Sequence, residues 1–369
     1  MFSRKLSMAV IQGQNWTFAQ VIRNKTKLKV LRISQFSMGE NYKDGLDVKS
    51  FENSSFNDSE TSIGSGSSDL EPIVKLKAWL KQQKVPLKKL KLAFSCPGTI
   101  TRIITLPKMS NKDLDKLLTE QVSQYFTFNI ADYLVDYRIV DFFEEEGQKR
   151  QRVLLAALPI FQWKQFCSNL DSLGLKPTVI DLTADSLARL YGKLSILKKP
   201  LKQEDDLKGR ALDIAIVDLG SERVEFIILE NGLFFLYSDQ EAALKGLKKM
   251  NVSKSTESDE NDLLKVEDSL MSNSYEVLEE ALTPVLRTIG DFITFFAARH
   301  FGKSIDKIFL TGELADLPLI TELFETSLEV ETQQGFPGNW KPDFVRQAQE
   351  NQQDWMKYGS LYGLAMRED

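Results

Sequence analysis

The chain has 369 residues, 42% of them hydrophobic and 27% charged, with a formal net charge of −5. That length is generous for one core, so two domains are expected, and the excess of acids argues against a general nucleic-acid binder. Cys96 and Cys167 stand far apart with no metal-ligand spacing, and the single histidine, His300, removes His-based triads and His-ligated zinc sites. The cysteine usage fits a reducing cytosol with no disulfide framework.

At the N-terminus the apolar stretch after Arg4 and Lys5 ends at Gln12, too short for a signal-peptide core. Strand-like runs are predicted at Ser7 to Ile11, Phe18 to Ile22 and Lys27 to Ile33, with Gly13 in the first turn. Residues 37–69 are rich in Ser, Asn, Asp and Gly without a sustained period and read as a mobile insertion. A helix follows from Glu71 to Gln83 with Ile73, Leu76 and Leu80 on its core face, then a buried strand from Leu90 to Phe94. No acid occurs from Pro72 to Lys112, while Lys75, Lys77, Lys81, Lys84, Lys88, Lys89 and Lys91 do. These lysines read either as a solvated face with a protected strand edge, or as a contact for anionic lipid headgroups or an acidic partner.

Thr101 to Leu106 is strand-like, and Ser110 to Asp113 is a helix start backed by Leu114, Leu117, Leu118 and Val122. Strands at Leu134 to Phe143 and Arg152 to Leu158 flank a solvated tip, Glu144 to Arg150. The next helix, from Ile160 to Leu173, stops at Gly174. Residues 198–210 are charged and separate two halves. The segment Ala211 to Asp239 is a strand meander with turns at Asp218, Leu219, Gly220, Ser221 and at Asn231, Gly232. Residues 251–273 are polar and acidic and read as a loop with a short frayed helix around 262–268. Leu278, Leu282, Val285, Ile289, Phe292, Ile293 and Phe296 form one helical stripe. Arg287, Asp291 and Arg299 make this segment a buried amphipathic helix rather than a membrane span. A buried strand from Lys307 to Leu310 then meets Thr311 and Gly312. Trp163, Trp340 and Trp355 read as structural.

Gly13 set over Gly220 aligns the two halves without gaps. Phe18 to Ile22 falls on Glu225 to Leu229, and Asn24 falls on Asn231. Each half therefore opens with strand, glycine turn, strand, Asn turn and strand, which suggests a duplicated two-lobed α/β fold. A carboxylate followed by glycine after a strand suits a metal-bound phosphate. Gly220 admits backbone N–H groups close to an anion, and Asp218 is positioned to hold magnesium through water. The plainer reading is a strand ending in an ordinary turn.

The order of segments resembles the type IV pilus assembly protein PilM family, relatives of FtsA in the actin-like fold. It is also similar to the cytoplasmic part of type II secretion GspL. The residues that carry the resemblance are Thr101 to Ser110, the helix with Glu120, Gln121 and Tyr125, and Asp136 with Tyr137. Later come Leu154 to Pro159, Leu173 to Pro177, Asp218 to Gly220, Phe309 to Gly312 and Tyr358 to Ala365. The resemblance implies a two-lobed, ribonuclease H-like duplicated fold with a small α+β subdomain inserted in the first lobe. The expected layout is a first lobe over 1–197 with that subdomain at about 100–159, a linker at 198–210, a second lobe over 211–340, and a C-terminal helix within 341–369 returning to the first lobe. It further implies a cytoplasmic protein at the inner face of the cytoplasmic membrane. Such a protein would bind the short cytoplasmic tail of a PilN-like membrane partner and link platform to motor components, with membrane contact indirect.

The implied nucleotide residues are Gly13, Asp218, Gly220, Ser221 and Gly312, with Asp218 the metal contact. The chain departs from the family pattern at several of the surrounding positions: Ile11 stands for an Asp, Trp16 for a small residue, Phe18 for a Lys and Thr183 for an acid, and Glu313 for the second glycine after Gly312. Losing one carboxylate and one ammonium removes contacts worth ~1.5–3 kcal/mol each, a weakening of roughly a hundredfold or more. The expectation is a non-enzymatic scaffold with no cofactor, or at most weak binding of ATP with magnesium. The alternative is a slow ATPase whose nucleotide state gates partner binding. An FtsA-like filament protein is disfavoured, because that family ends in an amphipathic membrane helix and this sequence stops at Asp369.

Overall fold

The computed structural model describes residues 4–24, 27–39, 70–86, 88–196, 212–247, 263–344 and 355–368. Two compact units emerge. The first comprises Met1–Ser186, Pro342–Glu350 and Ser360–Asp369, and the second Leu187–Lys341 and Asn351–Gly359.

In the first unit, β1 (Arg4–Gln12), β2 (Asn15–Arg23) and β3 (Leu28–Ser37) form an antiparallel meander. After α1 (Leu70–Gln82), β4 (Lys88–Phe94) pairs parallel with β1. β3 runs through Ser37, and Met38 joins the core, so the polar insertion begins later than its composition predicts. The rest of that insertion, with 198–210 and the stretch before Leu263, lies outside the described residues. A separate sheet follows, made of β5 (Ile100–Pro107), β6 (Tyr133–Glu145) and β7 (Gln148–Pro159) in the order β5-β7-β6, with α2 (Asn111–Gln121) upon it. Ser110 caps α2, its hydroxyl accepting from Asp113 N, as the sequence predicts. Leu106, Leu114, Leu118, Val153 and Leu155 give this small sheet its own core. Tyr137 Oη donates to Asp115 at 2.6 Å, and this bond to a carboxylate pushes the phenol up to about 12.

The chain re-enters the larger sheet through α3 (Ile160–Leu173) and β8 (Lys176–Leu182). Gly174 ends α3 at φ 72°, the left-handed stop expected of it. Trp16 and Phe18 on β2 stack at 6.3 Å, and Phe18 meets Trp79 of α1 at 5.8 Å, inside the core that α1 and α3 close over this face.

The second unit takes up α4 (Thr183–Ile196) from Leu187 onward. Its sheet contains β9 (Ile214–Leu219), β10 (Arg223–Glu230), β11 (Leu233–Glu241), β12 (Lys307–Thr311) and β13 (Thr332–Gln334), in the order β11-β10-β9-β12-β13. The first unit repeats this order as β3-β2-β1-β4-β8, with the short β14 (Asp343–Phe344) added beside β3. Pairing senses agree strand for strand, and the register shifts at Gln20/Val21 and Ile228/Leu229 fall at nearly equivalent places. The duplication read from Gly13 and Gly220 is therefore structural.

α5 (Leu263–Arg299) is 37 residues long, so the short helix expected around 262–268 is continuous with the apolar stripe and no loop separates them over 263–273. No glycine or proline interrupts that stretch, so the helix propagates backward from its buried stripe. Tyr275–Arg299 is long and apolar enough to cross a membrane by composition alone. Leu278, Leu282, Val285, Ile289 and Phe296 nevertheless pack into the core, alongside α6 (Ile320–Leu328).

The C-terminal helix is short, α7 (Gly359–Ala365), because the segment before it holds β14 and a 3-10 turn at Trp355–Tyr358. Arg23 Nη1 donates to the carbonyls of Ala365 and Arg367 at 2.9 Å each, and Lys91 Nζ to Arg367 O at 3.0 Å. Cations are favoured where helix carbonyls lack partners. Lys91, grouped by sequence with solvated lysines, is thus buried and capping a helix end.

Gly363 sits where any Cβ would overlap the carbonyl of Ser186. Gly363→Ala is expected to destabilise the first unit by about 2–3 kcal/mol, read as a lower thermal midpoint. Phe18→Lys should cost at least about 4 kcal/mol, through lost aromatic burial and an ammonium placed in an apolar core, and should abolish cooperative melting.

Candidate functional site

The glycine turn of the first unit, Gln12 to Asn15, closes β1 onto β2, and Gly13 adopts φ 54°. Backbone bonds tie it down: Ser95 N donates to Ile11 O and Met38 N to Gln14 O, each at 2.9 Å. Gln14 and Asn15, next in the turn, are partly exposed. Ile11, Trp16 and Phe18 all belong to the buried core, at the positions where the resemblance expects a carboxylate, a small residue and an ammonium. Thr183 is buried at the start of α4. The nearby carboxylate Asp181, which sequence reasoning missed, is ion-paired to Arg367 at 2.9 Å.

In the second unit, β9 is buried along its whole length. Alternation sends Ala215, Val217 and Leu219 into the α5 core, and Asp218 to the opposite face. Cross-strand register sets Asp218 between Glu225 on β10 and Thr311 on β12, with Asp239 on β11 beyond Glu225. Directly opposed residues share a face, so three buried carboxylates and a threonine form one transverse row. Arg223 pairs with Asp239, and Tyr237 Oη lies 3.4 Å from Glu225 Oε1. Glu225 and Asp239 escaped the sequence reading, because only the register places them beside Asp218.

Two glycines border Asp218 for steric reasons. Gly312, at φ 98°, leaves the space that the Asp218 carboxylate and the Leu219 backbone occupy. A Cβ on Gly220 would lie 2.7 Å from Arg223 O. Gly220 N donates to Arg223 O at 3.0 Å and Gly312 N to Met356 O at 3.4 Å. Thr311 Oγ1 donates to Met356 O at 2.6 Å. Ser221 is buried, and its carbonyl accepts from Leu244 N at 3.0 Å. Tyr191 Oη donates to Gly335 O at 2.8 Å, and burial, with the charge of Asp218 behind it, pushes that phenol well above its usual range. Phe336 packs against Tyr191, Trp340 and Trp355 at 5.5, 5.7 and 5.1 Å, which gives both tryptophans their structural role.

The two glycine turns have different surroundings in the two units. In the first unit, Gln14 and Asn15 after the glycine are partly exposed, and Trp16 and Phe18 beyond them are core. The second offers one carboxylate at the expected place, but its glycine amides are already bonded within the chain.

The sequence model of the type IV pilus assembly protein PilM family matches residues 26–369. Among solved structures, the chain is similar to a PilM-PilN type IV pilus biogenesis complex, at 16% identity and a TM-score of 0.67 over 98% of both chains. Fainter likenesses include ethanolamine utilization protein EutJ from Carboxydothermus hydrogenoformans, at 10% identity and a TM-score of 0.45 over 99% of this chain and 90% of that one. Another is a Bacteroides thetaiotaomicron protein with an actin-like ATPase fold, at 8% identity and a TM-score of 0.43 over 99% of this chain and 96% of that one. No curated protein sequence gives a significant match. With the duplicated actin-like fold and a family match over nearly its whole length, the chain belongs to the type IV pilus assembly protein PilM family.

Proposed function

We propose that this chain is a non-enzymatic cytoplasmic scaffold of type IV pilus assembly. It works at the inner face of the cytoplasmic membrane, where it holds the cytoplasmic tail of a PilN-like membrane partner. The observation that carries this reading is the family match over 26–369, together with a fold like that of a PilM-PilN complex over 98% of the chain. The degenerate pocket belongs to the same proposal. Ile11 and Phe18 lie in the core, and the Gly220 and Gly312 amides are bonded internally, so the contacts a triphosphate needs are weak on both counts. A second reading, a weak ATPase whose nucleotide state gates partner binding, draws on Asp218 and Gly220, which stand together at the end of β9. Links to motor or platform components, or to a type II secretion system, follow from the resemblance alone.

Titration of the purified protein with labelled ATP and magnesium should show no saturation at micromolar nucleotide, and Asp218→Ala should leave that result unchanged. Micromolar affinity that disappears in Asp218→Ala would replace the scaffold reading with the second one. The partner assignment is checked separately by co-expression with a single-span protein encoded next to it. The two should copurify, and deletion of that protein's cytoplasmic tail should release this chain.

A further inference from the structure

The six-stranded sheet of the first unit gathers cations at one end. Lys29 opposes Ile22 on one side and Asp343 on the other, Lys5 opposes Ile22 from β1, and Lys176 opposes Lys88. β1 and β4 run parallel from the Met8–Lys91 pair onward, so their N-terminal ends lie on the same rim, with β4 irregular between Lys88 and Lys91. Two short transverse rows therefore share this rim, Asp343, Lys29, Ile22, Lys5 and Lys88, Lys176, with Lys27, Lys84 and Lys89 nearby in the chain. Of these, Lys5, Lys27, Lys29, Lys84, Lys89 and Lys176 are exposed, and among the described residues none has an ion-pair partner. This rim carries the N-terminal ends of β1, β4 and β8. It lies at the opposite end of β1 from the Gly13 turn, about 26 Å away at ~3.3 Å per residue. In a chain of net charge −5, such a rim is a segregated field.

Edge protection does not account for it. The edges of this sheet are β14 and β8, whereas Lys5, Lys27, Lys29 and Lys89 stand at or beside the ends of interior strands. A protein partner would call for apolar anchors at the centre of the patch. The exposed large apolar side chains described in this unit, Val74, Leu134, Phe142 and Phe161, all lie off the strands of this sheet. What the rim offers is flexible, strongly hydrated ammonium groups, suited to a diffuse anionic surface rather than to bidentate recognition.

We propose that this basic rim docks directly on the anionic headgroup surface of a phospholipid bilayer. The contact goes beyond the indirect one expected through a membrane partner and is independent of it. It is weak, electrostatic and sensitive to salt, because exposed charges are screened within a Debye length.

Cosedimentation of the partner-free protein with vesicles tests it. The protein should pellet with mixed phosphatidylcholine–phosphatidylglycerol vesicles at low salt, and should neither pellet with phosphatidylcholine alone nor persist at high salt. The triple variant Lys5→Glu, Lys29→Glu, Lys89→Glu should lower the partition coefficient at least about a hundredfold. A charge-matched control in the small subdomain, Lys112→Glu, Lys116→Glu, Lys149→Glu, should retain binding. Thermal melts verify folding, and the corresponding Lys→Gln triple replaces any variant that fails to fold. Equal loss in the rim and control variants would overturn the proposal. So would wild-type protein that ignores anionic vesicles, including one that binds polyglutamate instead, which would make the rim a site for an acidic protein.

Discussion

The structure depends on one constraint, imposed twice: a central strand bonded on both edges, antiparallel to one neighbour and parallel to the other. β1 and β9 occupy that position, with the parallel partners β4 and β12. Such a strand has little access to water, so its residues must be apolar or internally satisfied, and its polar chemistry concentrates at the turn where it ends. The glycine turns after β1 and β9 are those ends. Their positions follow from hydrogen-bond geometry, whatever chemistry the family once placed there.

The two units then diverge through side chains alone. After β1, Trp16 and Phe18 turn the face that follows the glycine into aromatic core. Beside β9, Asp218 lies in a row with Glu225 and Thr311, wedged against Gly312. In both places the turn is consolidated by bonds within the chain.

The basic residues show how one residue type takes opposite roles within a single sheet. Lys91 and Arg23 are drawn inward to the unpartnered carbonyls at the end of α7, where burial is offset by charge-assisted bonds. Lys5, Lys29 and Lys89, on strands of the same sheet, reach water. The difference lies in the irregularity of β4, where Lys89 takes φ 56° and the register shifts between Lys88 and Lys91, and in where the C-terminal segment docks. A stretch without acids therefore contains both an internal cap and an external field.

The sequence alone determined the local alphabet of the fold. The meanders, the glycine turns, the Ser110 cap and the Gly174 stop are legible because each rests on contacts within a few residues. The duplication was legible too, since it preserves spacing around Gly13 and Gly220. Only the tertiary structure decided the rest. β14 joins β3 across more than three hundred residues of chain, and Gly363 and Lys91 acquire their roles from Ser186 and Arg367. Glu225 and Asp239 become neighbours of Asp218 only through register, and the lysine rim forms only once the strands of the first sheet are paired. The physical reason is that spacing encodes which face a residue takes, whereas pairing partners are chosen by the burial of whole surfaces that no short window contains.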